Sequence, residues 1–262
     1  PESGGAAEPT GATRPWHFGD TGEISVQRTV FNAVLRGAGR PPRPLHPSGG
    51  ARGIALRPED FEVVEAETRT RAATALALDL SFSMPLRGHW IPAKRMALAL
   101  HALIQGKYPQ DHLYLIGFSD YARRLKPVDL TSSAPVERVY GTNMQHAFLL
   151  ARRLLCEHPR VARQVIMVTD GEPTAHLVED GPGSGPRAIF SWPPTPETIR
   201  ATLAEAIRLT SAGITLNIFM LEDAPGLVAF TERLAKAVGG RVFHAADGEL
   251  ERLVLRDYVR RR

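Results

Sequence analysis

Three short stretches of the sequence put hard oxygen donors where strands are expected to end. Asp79-Leu80-Ser81-Phe82-Ser83 closes a short apolar run at residues 75–80. Alternate residues of an extended or turning segment project to one side, so Asp79, Ser81 and Ser83 converge. Asp170-Gly171-Glu172 follows a second apolar run at 164–169, and its first carboxylate reaches the same sheet edge if the two strands are neighbours. Gly141-Thr142 opens a helical run at 144–156 and adds a hydroxyl from a third loop. Carboxylates and hydroxyls without His or Cys suit magnesium, calcium or manganese and disfavour zinc. Asp79, Ser81, Ser83, Thr142 and Asp170 are therefore the candidate ligands of one divalent cation, magnesium first among the three.

Other chemistries find less support in the same residues. A phosphotransferase of the haloacid dehalogenase type wants a second Asp two residues after the first, where Ser81 stands. Neither Gly-x-Ser-x-Gly nor the glycine-rich lysine motif of a P-loop occurs. The run Gly181-Pro182-Gly183-Ser184-Gly185-Pro186 lacks, at its prolines, the amide hydrogens of a phosphate cradle. A metal-dependent phosphatase or hydrolase is thus the weakest alternative, and no catalytic residue is assigned.

The elements that must hold these residues alternate. Strands are expected at 75–80, 112–118, 164–169, 214–221 and 241–244, with a short hairpin partner at 123–127; helices are expected at 92–104, 144–156, 196–211, 227–238 and from 250 onward. Apolar strands separated by helix-length segments imply a doubly wound, Rossmann-like α/β fold, with a mostly parallel sheet covered on both faces. Such folds gather ligands at the carboxyl ends of their strands.

Asp79-x-Ser81-x-Ser83, Thr142 after a glycine, and Thr169-Asp170-Gly171 together resemble the metal-ion-dependent adhesion site of von Willebrand factor A (vWA) domains, in all five positions and in order. Gly117-Phe118-Ser119 and Gly141-Thr142 before an apolar helix resemble further landmarks of that family. The resemblance covers residues 74 to about 257 and implies a short antiparallel strand at the sheet edge. It also implies that Ser81 and Ser83 bind the ion directly, Thr142 directly or through water, and Asp79 and Asp170 mostly through water. An open coordination place would then accept a partner's Asp or Glu. The stretches from Thr169 to Leu177 and from Asn217 to Leu221 are similar to bacterial cytosolic vWA proteins that work with AAA+ ATPases of the MoxR and magnesium-chelatase type, which implies such an ATPase as partner. The expected activity is metal-dependent protein binding, with a metal-free interaction domain as the alternative.

Around the site, Glu172, His176, Phe190 and Trp192 are candidate partner contacts. Glu172 is read either as an acceptor for metal-bound water or as a solvated carboxylate. His176 either orients a partner's acid or stabilises its own loop. Ile189, Phe190 and Trp192 either fold back from a Pro/Gly-rich loop or stand as exposed anchors.

Residues 1–73 read as an N-terminal extension to a vWA domain at 74–262. Its first 20 residues, rich in Gly, Ala and Pro, are expected to be poorly ordered. A short amphipathic helix follows at 23–35, then a Pro/Gly linker at 40–53 and a possible strand at 61–66; the helix is expected to clamp onto the domain that follows, since its apolar stripe needs cover. Hydrophobic residues at 43% and charged residues at 23% describe a soluble globular chain. Absence of a 20-residue apolar run and of a signal-like start favours a cytoplasmic location with no membrane partner. The single Cys156 fits a reducing compartment and reads as a small buried hydrophobe. A net charge of +4 and a terminal Arg260-Arg261-Arg262 without aromatic interleaving do not suggest a nucleic-acid surface.

Overall fold

An antiparallel pair opens the chain: β1 (Ala7–Pro15) runs against β2 (Glu62–Thr68), with a register shift between Pro9 and Thr13. The computed structural model describes residues 7–38, 54–68, 71–131, 140–181, 185–245 and 248–261. These divide into two compact units, Gly5–Arg69 and Thr70–Arg262. In the first, α1 (Val26–Ala38) packs on β2 and on a 3-10 turn at Pro58–Asp60. Of the start expected to be poorly ordered, residues 1–6 lie outside the described residues and Ala7–Pro15 form β1. Its Gly and Pro residues are weak strand formers, and the pairing comes from a partner distant in sequence, which local composition does not reveal. The expected linker at 40–53 lies outside the described residues.

α1 buries Thr29 and Ala33, while Phe31, Val34 and Leu35 of the expected apolar stripe are exposed. A half-buried ion pair fixes its far end. Arg36 donates from Nε to Asp60 Oδ1 and from Nη2 to Asp60 Oδ2, at 2.8 and 2.7 Å.

The second unit is built on a six-stranded sheet. Its strands are β3 (Ala72–Asp79), β4 (His112–Phe118), β5 (Ala122–Leu125), β6 (Ala162–Thr169), β9 (Thr215–Met220) and β10 (Arg241–His244), in the order β10-β9-β6-β3-β4-β5. All neighbours are parallel except β4 and β5, which form the antiparallel edge. β3 is buried at every position, as a central strand covered on both faces must be. Its side chains alternate by size: Ala73, Ala75 and Ala77 face one core with Phe148 and Leu209, while Leu76 and Leu78 face the other with Met96 and Val254. The small residues admit α5 (Met144–Cys156) closely on one side, and α6 (Pro196–Ser211) packs beside it. The leucines fill the space beneath α3 (Trp90–Lys107) and α8 (Leu250–Arg261) on the other.

Between β6 and α6 the chain makes a hairpin, β7 (Ala175–Val178) against β8 (Arg187–Phe190), where a Pro/Gly-rich loop is expected from the sequence. α7 (Pro225–Val238) starts on a proline and ends on Gly239 at φ 63°, a left-handed stop that glycine adopts without strain. Two short helices, α2 (Ser83–Leu86) and α4 (Pro127–Thr131), complete the unit. Cys156, expected to be buried, is exposed: it is the last residue of α5, beyond the stripe that Leu154 and Leu155 bury.

Candidate metal centre

The register of the sheet brings two carboxylates to one edge. Leu78 of β3 lies opposite Val168 of β6, so the chain leaves both strands side by side at Asp79 and at Thr169-Asp170. Asp79 is fully buried; its Oδ1 accepts from the Ser81 amide at 2.8 Å and its Oδ2 from Thr169 Oγ1 at 2.7 Å. Both oxygens are thus spent on shaping the turn after β3 and on tying it to β6.

That turn delivers Ser81 and Ser83. Ser83 Oγ donates to Asp170 Oδ1 at 2.7 Å and lies 3.0 Å from Ser81 Oγ. A serine has one O–H to give. With that of Ser83 directed at Asp170, Ser81 is the donor of the serine pair, and a hydroxyl chain runs from Ser81 through Ser83 to Asp170. The other oxygen, Asp170 Oδ2, is buried and accepts no hydrogen bond. Arg87 lies near it, with Nη1 3.9 Å from Oδ2 and donating to the Asp170 carbonyl oxygen at 3.1 Å.

Thr142 comes from the loop before α5. Asp120 Oδ1 accepts from the Gly141 amide and the Asp120 carbonyl oxygen from Asn143 Nδ2, both at 2.8 Å. Asn143 also caps α5, its Oδ1 accepting from the His146 amide at 2.9 Å. Thr174 Oγ1 accepts from the Thr142 amide at 2.9 Å. A Cβ on Gly141 would sit 2.1 Å from Asp120 Oδ1, so this loop requires glycine for close approach.

Burial raises the carboxyl groups of both aspartates. Asp79 is pushed up to about 7, by burial first and by the charge of Asp170 second. Asp170 is raised by burial, with the hydrogen bond from Ser83 and the charge of Arg87 opposing. Two buried acids at one edge, one with an unsatisfied oxygen, are an electrostatic debt that a cation would relieve. Among the described residues no group of three or more His, Cys, Asp or Glu converges. The donors are hydroxyls and carboxylates, and the orphaned Asp170 oxygen beside the serine chain fits a hard divalent ion.

Ser83, Thr142 and Asp170 line a cavity of about 400 Å³, whereas Asp79 and Ser81 are buried and do not line it. Of the four candidate contact residues, Glu172, Phe190 and Trp192 line the cavity too. Glu172 leans over the first turn of α7, where a Cβ on Gly226 would meet its Oε1 at 1.7 Å; a helix N-terminus favours such a charge. His176 does not line the cavity, and its Nδ1 sits 3.0 Å from Thr198 Oγ1, holding the hairpin to α6. Phe190 and Trp192 stand exposed on the hairpin's outgoing limb. Arg87 and Asp120 are absent from the sequence reading, and Thr174 enters it only within the Thr169-to-Leu177 stretch, without a role of its own; Asp120 follows directly on the Gly117-Phe118-Ser119 landmark and was within its reach, while nothing local marks Arg87.

The model of the vWA domain of Rv0959-like proteins matches residues 72–259, and that of their third domain matches residues 8–66. Uncharacterized proteins of Mycobacterium tuberculosis (Rv0959) and Mycobacterium bovis (Mb0984) are 44% identical over 258 residues, 98% of this chain. The chain spans 37% of the length of these relatives. Among solved structures, the vWF domain of the type V pili tip protein Mfa5 from Porphyromonas gingivalis superposes with a TM-score of 0.55 at 12% identity, covering 74% of this chain and 97% of that one. An aerotolerance-related membrane protein from Bacteroides fragilis gives 0.52 at 19% identity, covering 72% and 99%. At these identities the likeness concerns the fold.

Proposed function

The chain belongs to the Rv0959-like vWA family, and from that premise we propose that the cavity at Ser83, Thr142 and Asp170 is a metal-dependent docking site for another protein. The observation that carries this reading is the Ser81–Ser83–Asp170 hydroxyl chain with its orphaned Asp170 oxygen. Ser81, Ser83 and Thr142 would hold the ion with Asp170, and Asp79 would fix the serine turn from behind. When bound, magnesium, or calcium or manganese in its place, supplies a positive charge and an open place for a carboxylate. Neutral hydroxyls leave offsetting that charge to the two aspartates alone, so the open place still attracts a partner's Asp or Glu.

The partner we propose is a MoxR-like AAA+ ATPase, on the resemblance of the Thr169-to-Leu177 and Asn217-to-Leu221 stretches, and the setting is cytoplasmic. The role proposed is binding and not catalysis. A metal-free interaction domain is the second reading, favoured by the Ser83–Asp170 hydrogen bond, which engages Ser83 Oγ and Asp170 Oδ1 without an ion.

Calorimetric titration of the ATPase into wild type and Ser83→Ala, each with magnesium or with EDTA, tests the proposal. Binding in wild type with magnesium alone is the expected result. Equal affinity in all four conditions would remove the metal from the interface and leave the second reading.

A further inference from the structure

The cavity beside the candidate metal centre has two unlike kinds of wall. One is polar: Ser83, Thr142, Asp170 and Glu172, with the Arg87 guanidinium beside Asp170. The other is apolar and comes from three separate parts of the chain: Phe82 and Leu86 at the two ends of α2, Tyr140 before the Thr142 loop, and Phe190 and Trp192 at and after the end of β8. Phe82 and Tyr140 meet ring to ring at 5.6 Å, which closes the wall between α2 and the Thr142 loop.

These apolar side chains are not covered. Leu86 is 72% exposed, Trp192 69%, Tyr140 58%, Phe190 48% and Phe82 39%. Scattered apolar residues on a surface are ordinary, but five around one cavity form a patch, and patches rimmed by polar groups mark interaction sites. A free organic acid in the cavity would leave the rim in water. A protein segment covers the rim and the floor together, and aromatic residues around a desolvated centre are where such contacts concentrate their energy.

We propose that the cavity reads a two-residue determinant on the partner: an Asp or Glu, with a bulky apolar residue of leucine or phenylalanine size directly next to it in sequence. The acid goes to the Ser83–Asp170 wall, as the docking reading above requires and on which this inference rests. The apolar neighbour goes against Phe82, Leu86, Phe190 and Trp192. Adjacent residues in an extended segment point to opposite sides, which suits a cavity whose polar and apolar walls face different elements. The acid alone gives little selectivity, since every protein surface carries carboxylates. The apolar wall supplies it.

The test is a random heptapeptide phage library panned on the full chain with magnesium or with EDTA, followed by calorimetry on synthetic peptides. With magnesium, enriched sequences should pair an acid with Leu, Phe, Met or Ile at the next position. Replacing that apolar residue by alanine in the synthetic peptide should weaken binding by about tenfold or more, the scale of losing several methylenes from a pocket. Trp192→Ala leaves the fold intact, since the side chain is mostly solvent-exposed, and should shrink that preference to about threefold or less while leaving magnesium binding unchanged. Enrichment of acids with no apolar neighbour overturns this inference and leaves the metal-dependent docking reading in place. Apolar sequences enriched equally in EDTA and without an acid overturn both. So does a library with no enriched sequence.

Discussion

Ser83 Oγ donates a 2.7 Å hydrogen bond to Asp170 Oδ1 across 87 positions of sequence, and this one contact joins the turn after β3 to the turn after β6. Parallel neighbours in the sheet make it possible, because only then do both strands release their chains at the same edge. It leaves Asp170 Oδ2 buried without a donor, so the structure contains both a latch and an unanswered acceptor.

The latch and the ion compete for the same oxygens, and their separation is measurable. Ser83→Ala removes the hydroxyl that would bind the ion, whereas Thr169→Val leaves that hydroxyl in place and removes the donor to Asp79 Oδ2 together with the acceptor of the Gly171 amide. We expect magnesium affinity to be abolished in the first. In the second it should fall by roughly 10- to 100-fold, the range seen when a group supporting a ligand is lost. Calorimetry with magnesium chloride reads both; unchanged affinity in Ser83→Ala would mean the ion does not sit there.

Much of this was legible in the sequence, for physical reasons. The helices at Met144–Cys156 and Pro196–Ser211 carry their own boundary signals, Asn143 and Thr195 as caps and Pro196 in the first turn. The β3, β4 and β6 runs are apolar because they are covered on both sides, and Asp79 and Asp170 stand out as the first charges after them. The β7–β8 hairpin was not legible: each strand is only four residues long, and the intervening Gly181-to-Pro186 run dominates the local pattern. Nor was Arg87, whose partner is distant in sequence and whose own neighbours carry no signal. His176 sat near the motif in sequence with two readings open, and its place in β7 turns it to Thr198, in keeping with the loop-stabilising one.

The Thr142 loop depends on a glycine that touches no ion. Alanine at Gly141 would put a Cβ 2.1 Å from Asp120 Oδ1, and the loop or the aspartate must move. Gly141→Ala should cost about 1–3 kcal/mol in stability, as overpacking does, and weaken magnesium binding by displacing Thr142. Asp120→Ala removes the clash but also the acceptor for the Gly141 amide. The two changes together should therefore be less harmful than the sum of the singles in a denaturation cycle. Strict additivity would show that the contact does not govern the loop.

The Gly5–Arg69 unit should be acid-labile. Arg14 and the His17 amide hold Asp20 down at about 2, and Asp60 and Glu62 are lowered chiefly by hydrogen bonds from Arg36 and Asn32. Groups lowered in the folded state stabilise it above their unfolded values, and that stability drains away as pH falls from about 4 towards 2. Trp16, packed on Phe61 at a centroid distance of 6.3 Å, reports on this unit in a variant with Trp90 and Trp192 replaced by Phe. The fluorescence midpoint should lie between pH 2 and 4, and Arg36→Ala should move it upward, because Asp60 then loses its bidentate partner. An unmoved midpoint would assign the acid transition to other groups.

The buried acids of the candidate centre should give the opposite sign at higher pH. Asp79 ordinarily loses its proton near 3.8, but burial, aided by the charge of Asp170, pushes it up to about 7. Between those values the folded protein keeps a proton that the unfolded chain has released. The contribution of Asp79 to stability in EDTA is therefore greatest below about 4, declines as pH rises through 4 to 7, and is flat above. Asp79→Asn removes the titrating group, so the difference between wild-type and mutant melting temperatures should change steadily across that window and stop changing above it. Magnesium favours the ionised carboxylates and should flatten the wild-type slope without altering that of the mutant as much. The N-terminal unit titrates below this window, which keeps the two signatures apart. The measurement is scanning calorimetry from pH 4 to 9 with and without the ion. A wild-type curve parallel to that of Asp79→Asn throughout would mean that Asp79 is already ionised in the metal-free protein, and that the charge at this edge is carried in some other way.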